Sequence, residues 1–187
     1  PGRADGRMYW DLLGLWQQIQ NGLRAAGDKF GDRIVSVGVD TWGVDYGLLG
    51  PGDELLGNPY CYRDPRTNDM MEKAFGAVSR EEIFAETGLQ FMQFNTLYQL
   101  LAMKEQSPAL LDSAHSFLMI PDLFHWLLTG EKANEFTNAS TTQFHNPVTN
   151  QWSEALFDRF GLPKQILGEV LAPGSRLGNL RQDVAGA

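Results

Sequence analysis

The 187-residue sequence contains a single cysteine, Cys61, so an internal disulfide cannot form. Basic residues are outnumbered by acidic ones: the sequence has 15 Lys and Arg and 23 Asp and Glu, which give a formal net charge of −8. Nucleic acid and anionic membrane surfaces attract positive charge, so neither is an expected partner. The sequence has neither an apolar run of about 20 residues, as a membrane helix needs, nor a secretory signal. A cytoplasmic protein is therefore expected.

Several catalytic motifs are also lacking from the sequence. There is no Gly-rich Walker loop, no dinucleotide fingerprint and no Ser between glycines of the nucleophile-elbow type. His115, His125 and His145 are too widely separated to match the spacing of metal ligands, and no metal site is expected. The residues alone thus indicate a domain that binds a small ligand.

The first half of the chain combines one helix with extended segments. Apolar residues at helical spacing predict a helix over residues 12–26, with Gly27 as its stop. β-branched residues predict a mostly buried strand at 34–39. A second strand at 44–49 and an extended run at 55–62 follow, which predicts an antiparallel meander.

The second half shows helix signals. Ser79 with Glu82 matches a capping box, Pro108 and Pro121 are typical of first helical turns, and Gly161 suits a helix end. A helix-rich second half is therefore predicted.

Residues 39–47 form the most unusual stretch, with two carboxylates, Asp40 and Asp45, beside aromatic and glycine residues. Carboxylates bind hydroxyl groups, an aromatic face such as that of Trp42 covers the C–H side of a sugar ring, and Gly43 allows close backbone approach. This pattern favours a ligand-binding loop. The alternative, in which the carboxylates cap turns and Trp42 belongs to the core, fits the residues equally well.

Two further polar clusters are candidates for the same site. In residues 62–67, Arg63 and Arg66 flank Asp64. The favoured role of Arg66 is to form an internal Arg–Asp pair that fixes the loop. Residues 134–143 are rich in amides and hydroxyls, for which local hydrogen bonding is a sufficient explanation.

Four segments, taken in order and spacing, resemble the L-rhamnulokinase branch of the FGGY family of carbohydrate kinases: residues 39–46, 62–67, 94–100 and 136–143. The resemblance covers roughly residues 8–180. It implies an α/β fold, a truncated ribonuclease H-like (actin-like ATPase) domain with antiparallel strands followed by a helix-rich half.

The resemblance also implies which residues contact the sugar. It gives Gly43 as the sugar-contacting position. Further candidates for contact with the sugar are Trp42, Val44, Asp45 and Asn95, followed by Gln99 and Gln143.

By the same resemblance, the parent protein is an ATP-dependent kinase that phosphorylates L-rhamnulose at its 1-hydroxyl in L-rhamnose catabolism, with ATP and Mg²⁺ as cofactors. The family's Asp-Gly-Ser hairpin, which contacts phosphates, and its His-Asp-Thr motif, which holds the catalytic base, do not occur in this sequence. Residues 1–187 are thus expected to be part of an N-terminal domain from a longer reading frame. No catalytic residue, no complete cofactor site and no activity of its own are expected.

Two other functions are compatible with the same residues. One is an FGGY kinase for another ketose or polyol, such as L-fuculose, and the other is a sugar-binding module without catalysis. Because the expected sheet would have an unpaired edge over residues 34–49, self-association through that edge is also expected.

Overall fold

In the computed structural model, which describes residues 1–186, the helices begin at residues that suit helix starts. Ser79 and Glu82 form the predicted capping box, and Pro108 and Pro121 lie in first helical turns as predicted. The helices are α1 (Leu12–Phe30), α2 (Met70–Ala77), α3 (Arg80–Thr87), α4 (Thr96–Gln106), α5 (Pro108–Asp112), α6 (Ile120–Thr129), α7 (Phe136–Ala139), α8 (Glu154–Phe160) and α9 (Gln182–Ala185). The helix-rich second half is confirmed.

Helix α1 is longer than its sequence pattern predicts. Its first turn is capped by Asp11, whose Oδ1 accepts the N–H of Gly14 at 3.0 Å. The predicted stop at Gly27 is wrong, because that glycine keeps the helical conformation and Gly31, at φ 52°, ends the helix. No helix within residues 1–186 combines the length and the apolar character that crossing a membrane requires.

The strands are short and form two-stranded pairs. They are β1 (Gly2–Ala4), β2 (Arg7–Tyr9), β3 (Tyr46–Leu49), β4 (Ser116–Met119), β5 (Asn134–Glu135), β6 (His145–Asn146), β7 (Gln151–Trp152) and β8 (Val170–Leu171). Within the described part of the chain, β1–β2, β3–β4 and β6–β7 are antiparallel, and β5–β8 is parallel.

Strand β3 confirms most of the predicted strand at 44–49, but its partner was not predicted. It pairs with β4, with Tyr46 opposite Met119. Residues 55–62 contribute only isolated bridges, so the predicted meander is wrong. Gly57, at φ 129°, and Pro59 interrupt that segment, and neither suits a continuous ladder.

The predicted buried strand at residues 34–39 is also wrong. The segment has no regular secondary structure, and Val35 is 92% exposed. Its β-branched composition favours an extended backbone, but a strand also needs a neighbouring strand, and none lies beside it within residues 1–186. Residues 34–39 of the expected sheet edge therefore form no strand and pair with none among the described residues.

The β3–β4 pair separates two hydrophobic cores. Tyr46 and Leu48 pack into the larger core with Tyr98 of α4, whereas Leu49 packs into the second core with Leu123 of α6. Successive residues of a strand point to opposite faces, so this alternation follows directly from the sequence. The residues that precede β3 consequently lie where both cores meet.

Candidate functional site

A tight turn at residues 43–45 leads into β3. The N–H of Asp45 donates to the carbonyl of Gly43 at 2.9 Å, and Val44 between them has φ 66°. A hydrogen bond across a single residue with positive φ defines a rare and strained form of γ-turn. For a β-branched residue such as Val, this conformation is a true outlier.

Side chains from distant parts of the sequence hold this turn. Thr141 Oγ1 accepts the N–H of Val44 at 3.0 Å. The carbonyl of Val44 accepts the hydroxyl of Thr96 at 2.7 Å and the amide Nε2 of Gln99 at 3.2 Å. Both backbone polar groups of the strained residue, Val44, are thereby satisfied.

Gly43 lies against Thr141 so closely that a larger residue would not fit without movement. A Cβ atom at position 43 would lie 3.0 Å from Thr141 Cγ2 and 3.1 Å from its Oγ1. Glycine is therefore required here by close approach.

Asp45 is fully buried, and its carboxylate accepts several hydrogen bonds. Its Oδ2 accepts from the indole Nε1 of Trp10 at 2.6 Å, the indole Nε1 of Trp42 at 3.0 Å and the N–H of Tyr62 at 3.2 Å. Its Oδ1 accepts from Gln99 Nε2 at 2.9 Å. Burial raises the pKa of Asp45, although these hydrogen bonds oppose the shift. The carboxylate thus serves as an anchor for the surrounding side chains.

The two indoles bound to Asp45 also contact each other. The ring centroids of Trp10 and Trp42 are 4.3 Å apart, with an interplanar angle of 42°. Trp42 packs partly against the second core, in keeping with the alternative interpretation of this residue. Trp10 was missed by sequence reasoning, because it lies just before α1 and outside every quoted motif.

Asn95 and Gln143, two further candidates, contact each other beneath the turn. Asn95 Nδ2 donates to Gln143 Oε1 at 2.7 Å and to the carbonyl of Gln90 at 2.9 Å. Gln143 Nε2 in turn donates to the carbonyl of Leu89 at 3.0 Å. Both side chains are buried, and these bonds link α4 to the segment after α7.

Arg66 is buried and has a structural role, but its partner is not the predicted carboxylate. Its Nη1 and Nη2 donate to the carbonyl and to Oε1 of Gln99, both at 2.9 Å. Asp64 instead accepts the backbone N–H groups of Met8 and Arg66, and the guanidinium in ion-pair range of Asp64 belongs to Arg7. The predicted pairing of the Arg66 and Asp64 side chains is therefore wrong.

The two carboxylates of the 39–47 stretch lie in different environments. Asp40 is exposed and lines a cleft of about 1200 Å³ between the end of α1, the 34–40 segment, α6 and residues 171–185. Asp45 is buried on the other side of the loop. The structure thus brings Trp42, Gly43, Val44 and Asp45 together and leaves Asp40 apart, while the side chain of Asn95 bonds to Gln143 and not to the turn.

Comparisons with known proteins identify the family of the chain. The sequence profile described as "FGGY family of carbohydrate kinases, N-terminal domain" matches residues 3–187. A protein named rhamnulokinase from Oceanobacillus iheyensis is 45% identical over 175 residues, which are 94% of this chain and 37% of that relative. A rhamnulokinase from Halalkalibacterium halodurans is 44% identical over 96% of the chain and 38% of its own length.

Solved structures support the fold. The crystal structure of gluconate kinase from Lactobacillus acidophilus superposes with a TM-score of 0.90 at 20% identity, covering 100% of this chain and 38% of that one. Xylulose kinase from the same organism superposes with a TM-score of 0.85 at 19% identity, with the same coverage. The expected α/β, actin-like fold class is confirmed. The chain belongs to the FGGY family of carbohydrate kinases and matches the N-terminal domain of that family.

Proposed function

We propose that this chain is the sugar-binding part of an ATP-dependent kinase that phosphorylates L-rhamnulose at the 1-hydroxyl. The observation that carries the proposal is the convergence of three separate segments on the Gly43–Asp45 turn, through Tyr62, Gln99 and Thr141. The relatives named rhamnulokinase support the substrate, and the chain spans 37% and 38% of their lengths. Proteins that bind sugars commonly use such preformed polar sites with an aromatic wall.

The roles of the residues follow from their environments. Gly43 offers bare backbone to the sugar, and the indole of Trp42 covers a C–H face. Asp45 holds that indole in place, since its oxygens already accept hydrogen bonds from Trp10, Trp42, Tyr62 and Gln99. Val44 completes the site by shaping the turn, and Asn95 by holding the side chain of Gln143 next to the start of α4.

Magnesium, ATP and the catalytic base are assigned to other parts of a longer cytoplasmic protein. Within residues 1–186, no group of three or more His, Cys, Asp or Glu side chains is arranged to hold a metal ion. The residues described here therefore do not fit a complete Mg²⁺ site. The chain alone is proposed to orient the sugar without turning it over.

Calorimetry with the 187-residue chain tests the proposal directly. We expect saturable binding of L-rhamnulose, weaker binding of L-fuculose and no ATP-dependent phosphorylation of either sugar. Tighter binding of L-fuculose would reassign the substrate, and turnover above a blank would contradict the proposed inactivity. Sequencing the flanking gene separates a kinase from a non-catalytic module, because only a kinase requires a His-Asp-Thr motif downstream.

The chain is also proposed to self-associate through residues 34–39. This segment is uncharged and rich in β-branched residues, with Val35 92% exposed and Val37 41% exposed. A second copy of the same segment offers a matching backbone edge and equivalent apolar side chains, which is the basis of strand-to-strand association.

A further inference from the structure

The strained turn at Val44 raises the question of what keeps it in place. A left-handed φ is unfavourable for a β-branched residue, so the conformation persists only if the surroundings impose it. Thr96 and Gln99 come from α4, and Thr141 follows α7, so the restraints reach the turn from two separate elements.

Thr141 makes the one described hydrogen bond to the N–H of Val44, and the direction of its own hydroxyl hydrogen is fixed. Its Oγ1 donates to the carbonyl of Asn138 at 2.8 Å and accepts the N–H of Val44 at 3.0 Å. Only a group that both donates and accepts can make these two bonds at once. The methyl group of Thr141 meanwhile occupies the space beside Gly43.

We infer that Thr141 is a positioning residue for sugar binding, which acts by holding Val44 in its left-handed conformation so that Gly43 is presented in a fixed geometry. The inference rests on the proposed function and adds a residue outside the predicted set of sugar contacts. It predicts that the hydroxyl of Thr141, more than its shape, determines affinity.

Two substitutions separate the hydroxyl from the shape. Thr141→Val keeps the shape and removes the hydroxyl, whereas Thr141→Ser keeps the hydroxyl and removes the methyl group. In calorimetry with L-rhamnulose, we expect Thr141→Val to weaken binding about tenfold, the factor that corresponds to a lost hydrogen bond of about 1.4 kcal/mol. Thr141→Ser should stay within about threefold of the wild type, on the same scale. The exposed Thr149→Val is the matched control and should leave binding unchanged.

A second readout follows the turn itself. A residue with positive φ has a short distance between its own amide proton and Hα, so Val44 should give a strong intraresidue NOE in the wild type and in Thr141→Ser. We expect that NOE to weaken in Thr141→Val. A purely structural role of Thr141 would lower the melting temperature without changing this signal or the affinity of the folded variant.

The outcomes distinguish the two proposals. Wild-type affinity in Thr141→Val overturns the inference and leaves the proposed function intact. Failure of the wild-type chain to bind L-rhamnulose contradicts the proposed function. The inference about Thr141 is then tested by the NOE alone, and an unchanged Val44 NOE in Thr141→Val would overturn it. If Thr141→Val does not fold, Thr96→Val tests the same turn from its carbonyl side, with the same loss of NOE and affinity expected.

Discussion

Arg66 and Gln99 are joined by two hydrogen bonds of 2.9 Å, from the guanidinium to the backbone carbonyl and to the side-chain oxygen of Gln99. The amide nitrogen of the same side chain donates to Asp45 and to the carbonyl of Val44. The buried Arg66 is thereby connected to the strained turn through Gln99. The orientation of the Gln99 side-chain amide is fixed by hydrogen bonds at both its oxygen and its nitrogen.

The first prediction concerns this glutamine. Gln99→Leu should lower the free energy of unfolding by about 3 kcal/mol, because it leaves a buried guanidinium and a buried carboxylate each short of a partner. Urea unfolding measures the change. Gln17→Leu, on the exposed face of α1, is the control and should change stability by less than about 0.5 kcal/mol. An equal effect of the two substitutions would contradict the assigned role of Gln99.

The second prediction uses the close approach of Gly43 to Thr141. Gly43→Ala should destabilise the chain by about 1 to 3 kcal/mol, the cost typical of overpacking, and should weaken sugar binding. Gly76→Ala should instead stabilise it by about 0.5 to 1 kcal/mol, because Gly76 lies exposed in α2 with open space around its Cβ position.

A double-mutant cycle tests the cause of the Gly43 effect. Adding Thr141→Ser to Gly43→Ala removes the methyl carbon that would lie 3.0 Å from the new Cβ, while the hydroxyl oxygen stays. The combined variant should recover part of the lost stability. Strict additivity of the two changes would show that the steric contact is not the cause.

The third prediction concerns pH. Burial raises the pKa of Asp122, and its Oδ2 has no hydrogen-bond partner among residues 1–186, although interactions with His125 and the N–H of Glu135 oppose the shift. A carboxyl with a raised folded pKa binds more protons when folded than when unfolded, so its charge costs stability above that pKa. The cost disappears as the pH falls through the folded pKa towards the ordinary value of 3.8.

Asp122→Asn should therefore stabilise the chain at neutral pH by on the order of 1 kcal/mol, the scale of one relieved buried group. This gain should vanish in acid, where the wild-type carboxyl is protonated. Thermal unfolding at several pH values measures the difference between variant and wild type. Asp112→Asn, at an exposed position, should bring no gain at neutral pH. A gain for Asp122→Asn that persists below the ordinary pKa would show that the charge is not its cause.

The fourth prediction concerns self-association. Sedimentation of the wild-type chain should show a mass that rises with concentration, and Val35→Lys should shift it towards the monomer by placing a charge on the exposed segment. Val148→Lys is a close control, because Val148 is 91% exposed in another part of the chain and Val35 is 92% exposed. A wild-type mass independent of concentration would exclude the proposed association.

Sequence reasoning succeeded where a feature depends on a few neighbouring residues. The capping box at Ser79 and the strand from Tyr46 were predicted because caps and strand patterns are local. The pairing of that strand with residues 116–119 was not, because partners so far apart in sequence are chosen by packing. Residues 34–39 show the same limit, since their composition favours a strand but does not supply a neighbour.

The candidate site likewise combines residues whose proximity could be predicted with residues whose proximity could not. Trp42, Gly43 and Asp45 are adjacent in sequence, so their proximity could be predicted. Trp10 lies outside every cluster that the sequence marks, and Thr141 belongs to the polar cluster 134–143, for which local hydrogen bonding was a sufficient explanation. The left-handed Val44 could not be predicted, because its own preference opposes the conformation that its partners impose.

The single cysteine has a consequence for studying this site. Cys61 is 1% exposed, and its N–H donates to the carbonyl of Met8 at 2.9 Å. It directly precedes Tyr62, whose N–H donates to Asp45. Burial raises the pKa of its thiol, so little reactive thiolate forms while the thiol stays buried. A thiol reagent should therefore modify the chain at a rate set by local opening of this segment. The native sequence thus contains its own chemical reporter of local opening beside Asp45, readable by mass spectrometry without any engineered label.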